Sequence, residues 1–164
     1  MQRTKREHTT LEITMPENKR AEDTVDIYID AACRGNPGES SYALIAVLPD
    51  GTKVQRSNRI GKMTNQEAEF TALKRALELA VEKRWSHIQV YTDARLVQKA
   101  ATGQWKIKSH QLIKMIREIA PLAQEIKLMD NQRGQIDVDW LPREHVFMKE
   151  VDELCNVALN PKYL

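Results

Sequence analysis

Val25-Asp26-Ile27-Tyr28-Ile29-Asp30-Ala31-Ala32-Cys33-Arg34-Gly35-Asn36-Pro37-Gly38 is the stretch that decides the architecture. Val25, Ile27 and Ile29 alternate with Asp26, Tyr28 and Asp30, the period of two that marks a strand. Arg34 to Gly38 is a turn by composition. Beyond it, residues 42–48 are an apolar run suited to a buried strand, Pro49-Asp50-Gly51 turns the chain, and residues 52–58 can pair back as a hairpin. Before Val25 the chain is polar and mixed in charge, with only residues 11–15 hinting at an extended piece. This reading separates a weakly ordered extension, residues 1–23, from a domain over residues 24–160.

Downstream the period changes. Thr64 and Glu67 have the spacing of a capping box. The stripe Ala72, Leu73, Ala76, Leu77, Ala80 and Val81 carries a helix onward from there. Residues 87–91 are rich in β-formers and end at Thr92-Asp93. Residues 94–102 predict a short helix stopped by Gly103. Residues 109–126 predict a longer one, kinked or divided at Pro121. Residues 135–141 predict a last strand and 147–159 a last helix. A hairpin followed by strand–helix alternation implies an α/β fold: a five-stranded mixed sheet, its first three strands antiparallel, with helices on both faces. In such sheets ligands gather at the carboxyl ends of strands, where Asp30 and Asp93 are placed.

Size and composition set the limits. The chain has 164 residues, enough for one domain with a proper core, and its 41% apolar and 29% charged residues are ordinary for a globular protein. A net charge of +2 predicts no partner, but its distribution does. No Asp or Glu stands between Asp93 and Glu118, where Arg95, Lys99, Lys106, Lys108, Lys114 and Arg117 all fall. That block reads as a polyanion-facing patch, or as a solvated helix face. Cys33 and Cys155 lie far apart in no zinc-type spacing, which fits a reduced, cytoplasmic protein and leaves a single bridge between them open. No apolar run reaches the ~20 residues of a membrane span. The charged start of the chain does not read as a secretory signal.

Four acids stand in poor places for a charge. Asp30 and Asp93 close predicted strands, Glu69 lies on the packed stripe of its helix, and Asp152 lies in the last helix. Each has a bland explanation: turn residues for the two aspartates, a lysine partner for Glu69, a helix-dipole charge for Asp152. Together they change meaning, because the predicted order of elements brings them to one edge. Carboxylates gathered there repel one another unless a cation fills the space, and oxygen ligands suit Mg²⁺ or Mn²⁺ rather than zinc. Without metal, at least one should hold its proton above the usual range.

At these residues the chain resembles type 1 ribonuclease H, over roughly residues 25–159. Asp30-Ala31-Ala32-Cys33-Arg34-Gly35-Asn36-Pro37-Gly38 is similar to the family's first-strand motif. Thr64-Asn65-Gln66-Glu67-Ala68-Glu69 is similar to its helix-start motif. Thr92-Asp93 is similar to the third, and Trp140-Leu141-Pro142-Arg143-Glu144-His145 with Val151-Asp152-Glu153-Leu154 to the fourth. The form is closer to the short prokaryotic and archaeal members, which lack an extra basic helix. The resemblance implies an endonuclease that cuts the RNA strand of RNA–DNA hybrids with two metal ions ~4 Å apart. One ion activates the attacking water and the other stabilises the leaving 3′ oxygen, giving 5′-phosphate and 3′-hydroxyl ends. It assigns Asp30, Glu69, Asp93 and Asp152 as catalytic metal ligands. It also assigns Cys33, Arg34, Asn36, Asn65 and Gln66 to the substrate, since the 2′-hydroxyl is the handle that tells RNA from DNA. Arg95, Lys106 and Lys108 become candidates for phosphate contact, and Trp105 for a sugar contact or for core packing. A monomer is expected, with double-stranded RNA as a further substrate to test.

The chain departs from the family pattern in four places. Ala94 follows the third-motif aspartate where Ser is usual, and Ser40 and Ser41 occupy a region where many members have another glycine. Met148 replaces the usual Asn before Asp152. His145, the candidate for proton transfer, is seven residues before Asp152, a shorter loop than where a mobile histidine is found. A surface-loop histidine is the other reading of His145, and Glu150 is a weaker competitor for the fourth ligand. Other readings of the whole chain are a non-catalytic module of the same fold, which would be expected to have lost an acid, the nuclease domain of a retroelement, and a resolvase- or integrase-like enzyme.

Overall fold

A computed structural model describes residues 20–104 and 106–163. The expected extended piece at residues 11–15 and the side chain of Trp105 lie outside the described residues. The elements run β1 (Val25–Gly35), β2 (Gly38–Val47), β3 (Lys53–Met63), α1 (Asn65–Lys83), β4 (His87–Thr92), α2 (Arg95–Ala101), α3 (His110–Gln132), β5 (Gln135–Trp140) and α4 (Val146–Leu159), closed by a 3₁₀ turn at Pro161–Tyr163. The sheet order is β3-β2-β1-β4-β5. β1, β2 and β3 are antiparallel neighbours, and β4 runs parallel to both β1 and β5.

Alternation along β1 sorts the core into two layers. Val25, Ile27 and Ile29 face one side, where α1 and α3 cover them with Phe70, Leu73, Leu77, Ile116, Ile119 and Ile126. Tyr28 faces the other, with Ala43 and Ile45 of β2, under Met148, Val151 and Cys155 of α4. A charged side chain on β1 is therefore either sealed beneath a helix or held at the sheet's rim.

Three differences from the sequence reading have physical causes. β1 continues past Asp30 to Gly35, and β3 past Asn58 to Met63. Their polar ends carry no apolar alternation, but the hairpin ladder continues through Cys33↔Ser40 and Gly35↔Gly38 regardless of side chain. The tight turn needs its glycines: Gly35 has φ +106°, and a Cβ on Gly38 would lie 2.1 Å from the Arg34 carbonyl oxygen. The long helix does not break at Pro121. Its non-helical dihedrals are at Met129, Asp130 and Asn131, because buried Ile116, Ile119, Ala123 and Ile126 hold the axis on both sides of the proline.

Candidate metal centre and nucleic-acid groove

β1 and β4 are paired as far as Tyr28↔Tyr91, then part. Asp30 and Asp93 each stand two residues beyond that last pair, so the acids face the opening where two parallel strands separate. Asp30 is buried, 5% exposed, inside the longer β1 rather than at its end. Glu69 reaches the opening from the start of α1. Both arms of the predicted capping box hold that helix start: Thr64 Oγ1 accepts the Glu67 N–H at 3.2 Å, and Glu67 Oε1 accepts the Thr64 N–H at 3.1 Å. One carboxylate oxygen from each of Asp30, Glu69 and Asp93 lies within 4.8 Å of the others.

These acids are electrostatically uncomfortable. Burial, then the Asp93 charge, pushes Asp30 up to about 8, with Asp152 adding to the rise by charge and by hydrogen bonding. Burial, then Asp30 and Asp93, raises Glu69 well above the carboxylate range. Asp93 is also raised, by burial, against the opposing charge and hydrogen bond of Arg143. Glu69 Oε2 is buried with no hydrogen-bond partner among the described residues. A buried, unpartnered oxygen on a carboxylate that belongs to an all-oxygen donor set is the environment a hard divalent cation relieves. Asp152 on α4 stands beside the three-carboxylate group, within electrostatic reach of Asp30 and Asp93.

The loop after β5 contributes a residue that the sequence reading left unassigned. Arg143 Nε lies 3.6 Å from Asp93 Oδ2 and opposes the rise of Glu69 as well. Its position one place after Pro142 in the fourth motif was the available signal. Trp140 Nε1–H donates to the Asp93 carbonyl at 3.1 Å, and Arg95 covers the Trp140 ring at 4.0 Å, so Arg95 is held beside the acids by a cation–π contact. Glu150, the competing ligand, points elsewhere: it pairs with Lys53 at 3.5 Å and accepts from Gln55 at 3.4 Å on β3. Helix periodicity puts it nearly opposite the face that carries Asp152.

The remaining predicted side chains divide between two depressions. Asn36 Oδ1 accepts the Asn65 backbone N–H at 2.9 Å, tying the β1–β2 turn to the start of α1. Asn36, Thr64, Asn65, Gln66 and Glu67 line one side of a groove of about 550 Å³, and Ser109, Gln111 and Leu112 at the start of α3 line the other. Ser109 and Gln111 were legible only as a helix start; what brings them to the groove is the packing of α3 on α1. Lys106 and Lys108 flank buried Ile107 and are exposed, which alternation about an apolar anchor produces. Arg34 instead lines a separate depression with Glu153, Asn156, Val157 and Asn160. Cys33 Sγ lies 3.1 Å from the Met63 carbonyl and receives the Ser40 hydroxyl at 3.1 Å, inside the hairpin. Cys33 and Cys155 are both free thiols, so the single bridge left open by the sequence is not formed. His145 caps α4, its Nδ1 accepting the Phe147 N–H at 3.2 Å. Among the described residues no helix is long and apolar enough to cross a membrane.

Comparison with known proteins places this arrangement. The chain is 31% identical to a ribonuclease H of Chromobacterium violaceum, across 82% of this chain and 94% of that protein. It is 30% identical to a bifunctional protein of Mycobacterium tuberculosis, across 83% of this chain but only 35% of that longer protein. The chain thus spans about a third of the length of that relative. The crystal structure of RNase H1 from the halophilic archaeon Halobacterium salinarum superposes with a TM-score of 0.73 at 31% identity, covering 83% of this chain and 97% of that one. LC11-RNase H1, solved in complex with an RNA/DNA hybrid, superposes at 0.70 with 28% identity, covering 82% and 96%. The RNase H family model matches residues 22–155, a span that contains β1 through most of α4 and every acid of the cluster; the chain belongs to the RNase H family.

Proposed function

We propose that this chain is an endonuclease that hydrolyses the RNA strand of RNA–DNA hybrids with two divalent cations, Mg²⁺ or Mn²⁺. The observation that carries the reading is the carboxylate cluster: Asp30, Glu69 and Asp93 within 4.8 Å, with Glu69 Oε2 buried and unpartnered. Asp30, Glu69, Asp93 and Asp152 would hold the ions, which when bound supply Lewis acidity and charge neutralisation at a scissile phosphate. Asp93, held at its backbone by Trp140 and at its side chain by Arg143, also orients the attacking water. Water adds to phosphorus in line with the 3′ oxygen, the P–O3′ bond breaks, and 5′-phosphate and 3′-hydroxyl ends result. Asn36, Asn65 and Gln66, with the backbone near Cys33, read the hybrid across the groove, while Lys106, Lys108 and Arg95 take phosphates. The hybrid-bound relative of the same fold supports the substrate class.

The test incubates the purified protein with labelled hybrid, double-stranded RNA and duplex DNA, in Mg²⁺, Mn²⁺ or chelator. Metal-dependent cleavage of hybrid RNA, lost in D30N and D93N, is the expected result. Unchanged activity in either variant would sink the site assignment, and cleavage of duplex DNA in place of hybrid would sink the substrate.

A further inference from the structure

His145 belongs to the same loop as Arg143, and the two side chains go different ways. The β-turn from Pro142, closed by the His145 N–H donating to the Pro142 carbonyl at 3.1 Å, sends Arg143 to Asp93. It turns His145 under the start of α4. There the His145 carbonyl accepts the Lys149 N–H at 2.9 Å, and Nδ1 accepts the Phe147 N–H at 3.2 Å. A helix start leaves four N–H groups without intrahelical partners, and a side-chain acceptor at this position satisfies one of them. The imidazole lies against Tyr28, centroids 5.7 Å apart and planes 16° apart. Tyr28 is itself stacked on Phe147 at 4.6 Å and Tyr91 at 5.1 Å. No hydrogen bond joins His145 to any of the four acids among the described residues.

We propose that His145 is a positioning residue: its Nδ1 caps α4 and so sets where Asp152 stands, and the side chain transfers no proton in the reaction. The ring nitrogen that accepts from Phe147 bears no hydrogen, and a protonated ring would set donor against donor and undo the cap. Asp152 follows His145 by seven residues, about two helical turns or ~10 Å along a rod whose buried face is Met148, Val151 and Cys155. A change at the cap therefore reaches the acid through the helix rather than through a proton.

This inference rests on the nuclease reading of the site, and its test separates the two. Asn is among the best N-cap residues and does not titrate, so H145N keeps the acceptor and deletes the ring. Wild type, H145A and H145N would be compared for hybrid cleavage from pH 6 to 9, for melting temperature without metal, and for the rise in melting temperature on adding Mg²⁺. H145A is expected to lose about fivefold in kcat/KM, the size of a lost cap, and part of the Mg²⁺-induced rise. H145N is expected to restore both, with the wild-type pH profile. H145N as inactive as H145A, with a limb of the pH profile missing, would overturn the proposal in favour of proton transfer. If wild type cuts no hybrid in either metal, the nuclease reading fails instead. The cap is then judged by melting alone: H145N above H145A upholds it, and equal melting overturns it.

Discussion

Arg143 Nε lies 3.6 Å from Asp93 Oδ2, an ion pair that reaches the acid cluster from a guanidinium largely in solvent. In the absence of metal it opposes the burial that raises both Asp93 and Glu69. Replacing it removes that opposition, so both carboxyls should hold their protons to higher pH. R143A is therefore expected to shift the acid limb of Mn²⁺ binding upward in pH. Calorimetric titration of Mn²⁺ across pH 5–8 checks it, and an unmoved limb would show that the exposed guanidinium is screened.

Asp30 gives a stability prediction with a definite sign. Its folded pKa of about 8 lies well above the ordinary carboxylate range, so between the two the folded state binds a proton that the unfolded state has released. Stability of the metal-free protein is then fullest below the unfolded pKa and falls as pH rises toward 8. D30N keeps the shape without the charge. It should melt close to wild type near pH 4 and several degrees above it at pH 8, the difference closing again when Mg²⁺ is added to wild type. Melting curves with and without chelator test this; a D30N that is destabilised at pH 8 would contradict it.

Lys106 and Lys108 are exposed on either side of buried Ile107. If they meet phosphates, each contact releases about one counterion. The double substitution K106A/K108A should weaken hybrid binding and flatten the slope of log K against log salt by up to about 2. An unchanged slope would return them to the role of a solvated face.

Gly38 tests the hairpin. A Cβ there would meet the Arg34 carbonyl oxygen at 2.1 Å, which no rotamer relieves because the obstacle is backbone. G38A should cost well beyond the ~1 kcal/mol typical of a point substitution, read as a lowered melting temperature. Because the Asn36–Asn65 bond depends on that turn, hybrid affinity should fall with it.

Much of this was legible along the chain. The alternation in β1, the capping box of α1 and the misfit of Glu69 on an apolar stripe are local patterns, and local physics is sufficient to read them. The order of elements was enough to gather Asp30, Glu69 and Asp93. Where the reading fell short, the missing information was not local. β1 and β3 run further than their apolar patterns because a ladder pairs backbone, whatever the side chains. α3 continues through Pro121 because side chains on either side of it are buried. Arg143 and His145, two residues apart in one loop, have opposite destinations; only the packing of α4 against Tyr28 decides which faces the acids. Composition and spacing determined that this chain would collect carboxylates at a sheet edge. The tertiary structure alone decided how tightly they are held, which cation of the chain stands beside them, and which polar side chains complete the groove, because those depend on contacts between residues far apart in sequence.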